Sequence, residues 1–203
     1  MADLKLIVGL GNPTPRYEKT RHNAGFWFMD RVSHSLGFGL SEDSRFNGAV
    51  GRGEFQGRPL FLLKPMTYMN RSGISVKSLC TYFRIKPEEI LVAHDELDLT
   101  PGIVRLKKGG GHGGHNGLRD ILVHLGGGDF HRLRFGIGHP GNRQDVADYV
   151  LSGLSKSEAA ALELALANAL TELPRMLKGD FAAAMNRLNT NPDKVSKKKV
   201  DDD

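Results

Sequence analysis

Short polar stretches of this 203-residue chain carry Asn12, Asn70, Asn116 and Asp95, with His22 or His94 close by in the pattern. Those residue types can do acyl chemistry. A histidine can act as general base on water, an aspartate can hold its tautomer and stabilise the imidazolium, and asparagine N–H₂ groups can donate to a developing oxyanion. Each also has a plainer reading. Asparagine beside Gly or Pro makes turns, His22 can stand at a helix N-terminus facing solvent, and Asp95 can cap a turn after a strand.

A second feature is Lys107–Gly117, KKGGGHGGHNG, with six glycines in its last nine residues. So many glycines serve neither a core nor a helix; they serve the backbone, whose N–H groups then come close to a polar or anionic partner. The run formally matches G-x-G-x-x-G at Gly109–Gly114. About twenty residues on, where a ribose-binding acid belongs, the chain reads Arg132-Leu133-Arg134, which argues against a dinucleotide. There is no G-x-x-x-x-G-K-[ST] and no G-x-S-x-G. His112 and His115 supply at most two metal ligands, with neither a Cys pair nor H-E-x-x-H to complete a site.

The elements that must position these groups alternate. Leu4–Leu10 reads as a buried strand, His22–Leu36 as an amphipathic helix stopped by Gly37, and Ala49–Phe55 with Arg58–Lys64 as a hairpin turning at Gln56-Gly57. Gly73–Ile85 follows as a helix, Ile90–Ala93 as a strand ending in His94-Asp95-Glu96, and Gly102–Lys107 as a strand entering the glycine run. Leu118–Leu125 is a helix, Arg132–Ile137 a strand, and Gln144–Leu151, Lys156–Leu177 and Asp180–Leu188 are helices. The alternation predicts one α/β domain over residues 1–189, a twisted mixed sheet flanked by helices, with ligands at the carboxyl ends of strands. Residues 190–203 read as a disordered charged tail.

The net charge of +5 and a pI near 9.4 make nucleic acid a natural partner. Arg105, Lys107, Lys108, Arg132 and Arg134 fall on two expected strands beside the glycine run, a face suited to phosphate. The lone cysteine, Cys80, forms no internal disulfide. No leader and no apolar run of membrane-spanning length is visible, and we read the chain as cytoplasmic.

In order along the chain come Gly9-Leu10-Gly11-Asn12-Pro13; Tyr17; Thr20-Arg21-His22-Asn23; Lys64–Gly73; His94–Leu99; Gly109–Leu118; and Phe130–Gly141. Together these blocks resemble bacterial-type peptidyl-tRNA hydrolase over about residues 4–190. The resemblance implies hydrolysis of the ester between a peptide's carboxyl end and the 3′ ribose of tRNA, recycling tRNA without metal or cofactor. It implies His22 as general base, Asp95 as its orienting partner, and Asn12 and Asn70 as positioning or oxyanion groups. Asn116 would bind peptide main chain, Tyr17, Tyr68 and Met69 would line the cleft, and Lys107 and Arg134 would clamp the tRNA 5′-phosphate. The fold implied is a single, usually monomeric α/β domain with no membrane partner. Thr14 stands where the family usually has glycine, and threonine disfavours positive φ. A non-catalytic RNA-binding module is the competing class, and a nicotinamide-dependent enzyme a third.

Overall fold

The computed structural model describes residues 3–190. The apolar run near the start forms β1, Leu6–Gly9, buried along its whole length. It lies between two parallel neighbours, β4 (Arg58–Pro65) and β5 (Ile90–Glu96), with Leu6 in register with both Phe61 and Ile90. The carboxyl ends of all three strands therefore emerge on one side, and the loops leaving them meet there.

On one flank β3 (Gly48–Phe55) pairs antiparallel with β4, and β2 (Ser41–Asp43) with β3. Gln56 and Gly57 both have positive φ, 52° and 74°, as a two-residue primed turn requires. On the other flank β7 (His131–Gly136) runs parallel to β5, and the edge strand β6 (Val104–Lys108) antiparallel to β7. The seven strands lie in the order β2-β3-β4-β1-β5-β7-β6, the mixed sheet expected from sequence.

Helices cover both faces. One core packs Ile7, Leu91 and Phe135 under α1 (Ala24–Leu36), α5 (Lys156–Leu177) and α6 (Phe181–Asn189). The other packs Val8, Val92 and Phe130 under α2 (Ser72–Phe83) and α3 (Asn116–Leu125). The short α4 (Val146–Val150) follows a 3₁₀ turn, Arg143–Asp145, whose start is fixed by the Asn142 side chain accepting from Gln144 N–H at 3.1 Å. Among the described residues no helix is long and apolar enough to cross a membrane.

Several boundaries differ from the sequence reading. β5 runs on through Glu96, so His94 and Asp95 are strand residues rather than a turn. The helix expected from His22 starts at Ala24, because Arg21–Asn23 form a 3₁₀ turn, and His22 is buried rather than facing solvent. β2, written Ser-Glu-Asp, has no apolar alternation and is held by pairing alone. Thr14 sits at φ −67°, so this loop asks for no positive φ there. Of the expected tail, residues 191–203 lie outside the described residues.

One glycine sets how closely α1 can approach the sheet. A Cβ on Gly25 would lie 2.3 Å from the Ala93 carbonyl oxygen and 2.5 Å from Leu10 N, both backbone atoms that cannot swing aside. Gly25→Ala is therefore expected to destabilise the fold by about 1–3 kcal/mol, the usual range for overpacking. The denaturant midpoint measures this, and a wild-type midpoint would contradict the close approach.

Candidate active site

The first turn after β1 brings Asn12 under cover. Its Oδ1 accepts from Met69 N–H at 2.9 Å, and its own backbone N–H donates to Asn23 Oδ1 at 2.8 Å, while Asn23 Nδ2 donates to the Asn12 carbonyl at 3.0 Å. With Oδ1 engaged by a donor, the Asn12 N–H₂ is the end of the amide left to donate. Asn23, paired twice with Asn12, is the residue that locks this loop, and the sequence reading gave it no role of its own.

The 3₁₀ turn Arg21–Asn23 carries His22 over the end of β5. There His22 Nδ1 lies 2.9 and 3.0 Å from the two oxygens of Asp95, both residues being buried. A carboxylate can only accept, so Nδ1 carries the proton and Nε2 holds the free lone pair. Burial opposes a charge on His22, but the Asp95 carboxylate and its hydrogen bond outweigh it and raise the imidazole above its usual 6.5. For Asp95 burial again opposes ionisation, yet His22 and then His115 hold its carboxyl well below the usual carboxylate range.

His115 is the third member, ranked below His22 in sequence because the resemblance places the base at His22 and the H-x-x-H pair completes no metal site. Its Nε2 is 3.0 Å from Asp95 Oδ1, while its Nδ1 accepts from Gly117 and Leu118 N–H at 3.2 and 3.3 Å, capping α3. An imidazole that accepts at Nδ1 bears its proton on Nε2, so His115 donates to Asp95 as a neutral ring. His22, Asp95 and His115 bring ligand atoms within 4.8 Å of one another, close enough to surround a cation. A metal on His115 Nε2 would force the proton onto Nδ1, against two backbone N–H groups. The donor geometry suits a hydrogen-bonded trio instead.

His94, the alternative base, is buried, its Nδ1 bonded to the Asp95 carbonyl at 2.6 Å. Burial above all pushes its pKa down to about 3, so it stays neutral. The residue pattern alone leaves His22 and His94 open and the resemblance implies His22; of the two, His22 is the one whose ring contacts the Asp95 carboxylate.

His22, Asp95, His115 and Asn116 line one cavity of about 260 Å³ together with Val146, Ala147 and Val150 of α4. Asn116, at the start of α3, is exposed, and its Oδ1 accepts from Arg119 at 3.0 Å, which turns its N–H₂ outward. Met69 is buried beneath, packed where a Cβ on Gly117 would meet its sulfur at 2.6 Å. Asn70 and Tyr68 are exposed on the 3₁₀ turn after β4, and Tyr68 lines a separate 400 Å³ depression with Thr14, Thr67 and Arg71. Tyr17 is half-buried, its hydroxyl bonded to Arg16. The cavity thus gathers His22, Asp95 and Asn116, with Asn12 and Met69 in the adjoining turns, while Tyr17, Tyr68 and Asn70 do not line it.

Beside it the glycine run folds as a loop in which Gly109, Gly110, Gly113 and Gly114 take φ of 69°, 104°, 54° and 85°. That backbone requirement, rather than a nucleotide, accounts for the glycine density. Arg132, buried, donates to the Gly110 and Gly111 carbonyls and so ties the loop to the depression that it lines with Lys107 and Arg134. Lys107 is exposed and lines a 310 Å³ depression with Arg134, Glu96 and Asp98; Arg134 Nε donates to Glu96 at 2.8 Å.

The family profile described as Peptidyl-tRNA hydrolase matches residues 6–198. Peptidyl-tRNA hydrolase of Acinetobacter baumannii (strain AYE) is 51% identical over 189 residues, 93% of this chain and 97% of that protein. The Pseudomonas aeruginosa (strain LESB58) protein of the same name is 53% identical over 191 residues, 94% of this chain and 98% of its own length. The crystal structure of the A. baumannii enzyme at 1.00 Å superposes with a TM-score of 0.91 at 50% identity, covering 94% of this chain and 96% of that one.

Proposed function

The chain belongs to the peptidyl-tRNA hydrolase family, a family of ester hydrolases, and we propose that it hydrolyses peptidyl-tRNA with water activated by His22 and Asp95, using no metal. The observation that carries this reading is the buried His22 Nδ1–Asp95 pair at 2.9 Å, which leaves Nε2 as the base.

In that mechanism Nε2 takes a proton from water as the oxygen attacks the ester carbonyl carbon. Asp95 stabilises the imidazolium, the Asn12 amide donates to substrate or to the oxyanion, and Asn70, outside the cavity, positions the part of the substrate that extends past it. The carbon–oxygen bond to the 3′ ribose then breaks, and His22 returns its proton to the departing oxygen. Free tRNA with a 3′-hydroxyl and a peptide carboxylate leave. Asn116 holds the peptide main chain, Met69 underlies the cleft, and Tyr17 and Tyr68 border it. We also propose that the chain works as a cytoplasmic monomer.

Incubation with N-acetylated aminoacyl-tRNA, with and without chelator, tests the reading. Release of N-acetyl amino acid at the same rate in both is expected. Activity lost to chelator and restored by a divalent cation would contradict the metal-free chemistry, and binding without release would favour a non-catalytic RNA-binding module.

Lys107 and Arg134 are proposed to hold the tRNA 5′-phosphate. Each phosphate contact to duplex releases about 0.9 counterion, so Lys107→Ala is expected to raise KM and lower the slope of log KM against log salt by about one. An unchanged slope would argue against that contact.

A further inference from the structure

The residue immediately before His22 is among the most heavily bonded side chains near the cavity, and the mechanism above does not use it. Arg21 is buried, and its Nη2 donates to both Glu158 oxygens at 2.8 Å. Its Nη1 donates to Ser152 Oγ at 2.7 Å and to the Gly153 carbonyl at 2.6 Å, and the guanidinium lies 4.2 Å over the Tyr149 ring. The backbone repeats the link. Arg21 N–H donates to the Ser152 carbonyl at 3.1 Å, and Thr20 forms an isolated β-bridge with Gly153.

Each of these partners fixes something else. Ser152 and Gly153 follow α4, whose Val146, Ala147 and Val150 line the same cavity as His22. Tyr149 on α4 donates its hydroxyl proton to the Ile137 carbonyl at 2.6 Å, just past the end of β7. Glu158 closes the cap of α5 by accepting from Ser155 N–H at 2.7 Å. One planar fork thus ties the turn carrying His22 to the α4 wall of that cavity and to the start of α5.

We propose that Arg21 is a positioning residue, which sets the separation between His22 and the α4 wall so that an ester seated against that wall presents its carbonyl to Nε2. This rests on the reading of His22 as the base. The geometry needs arginine rather than any cation: four hydrogen bonds leave the two terminal nitrogens in fixed directions, and a lysine ammonium cannot span a carboxylate, a hydroxyl and a carbonyl at once.

Arg21→Lys is therefore expected to lower kcat by about 10- to 100-fold, the scale of a misplacement near 1 Å, with a smaller change in KM. The low-field proton resonance of His22 Nδ1–H is expected to shift or broaden, which a merely structural role would not do. The control is Arg31→Lys. Arg31 also joins α1 to α5, through Glu163 at 2.6 Å, but touches neither His22 nor the wall, and its substitution should leave kcat unchanged. Glu158→Gln keeps the bonds to Ser152 and Gly153 and provides the arm that survives if Arg21→Lys fails to fold; a fall in kcat of about 3- to 10-fold is expected. Wild-type kcat in whichever of these variants folds, or a rise in KM alone with the resonance intact, overturns the proposal. Turnover retained in His22→Asn would instead overturn the His22 reading itself, whereas a dead His22→Asn beside a fully active Arg21→Lys would sink only the role of Arg21.

Discussion

Replacing His22 by alanine is expected to lower turnover of N-acetylated aminoacyl-tRNA by about 10²–10⁴-fold, the usual contribution of a positioned general base, while tRNA binding stays within a few-fold of wild type. The asymmetry follows from where the imidazole stands. It lines the cavity with Asp95 and His115, whereas Lys107 and Arg134 line a separate depression beyond the glycine loop. Removing the ring also strands a buried carboxylate with His115 as its remaining side-chain partner, so some loss of stability accompanies the loss of rate. His22→Asn separates the two effects, since its amide can still donate to Asp95 but cannot take a proton from water. Wild-type turnover in either variant would remove His22 from the mechanism.

The second large effect is expected from Asp95→Asn, a loss of about 10²–10⁴-fold by analogy with the aspartate of hydrolytic triads. The carboxylate accepts from two imidazoles, His22 Nδ1–H at 2.9 Å and His115 Nε2–H at 3.0 Å. An amide offers one acceptor and one N–H₂ group. Both rings bond Oδ1 and His22 also lies 3.0 Å from Oδ2, so in either orientation the amide sets its N–H₂ against His22 Nδ1–H, while His115 is held by the N–H groups of α3. The ring free to reverse is His22, which would then direct Nε2–H at the water it should deprotonate. Single-turnover rates measure the loss, and a rate within a few-fold of wild type would deny Asp95 this orienting role.

Much of this arrangement was legible in the chain. Leu4–Leu10 and Arg58–Lys64 announce strands by apolar content, and their parallel pairing at the sheet centre carries Asn12 and Met69 to one edge. The resemblance in the ordered motifs named the site residues, and the family itself follows from the matched length and identity. What spacing could not carry was contact. His115 meets Asp95 across 20 residues and Arg21 meets Glu158 across 137, separations at which local pattern says nothing. The H-x-x-H pair reads only as an incomplete metal site, because sequence shows two ligands but not the backbone N–H groups that fix a tautomer. Arg132 lines the basic depression with Lys107 and Arg134, as strand alternation predicts, but the sequence does not show the loop carbonyls of Gly110 and Gly111 that engage it. β2 escaped because Ser41–Asp43 has no strand-like composition and is recruited by the edge of β3.

The pH dependence of single-turnover hydrolysis, compared between wild type and Asp95→Asn, tests the His22–Asp95 account most directly. His22 must be neutral to accept a proton, and the Asp95 carboxylate raises its pKa above 6.5 against the opposing effect of burial. The rate is therefore expected to climb through one ionisation centred above 6.5 in the wild type. Asp95→Asn removes the raising influence and leaves burial, so its residual activity should climb at lower pH. A wild-type rate that does not vary across this range, or a midpoint that Asp95→Asn leaves in place, would contradict His22 as a base tuned by Asp95.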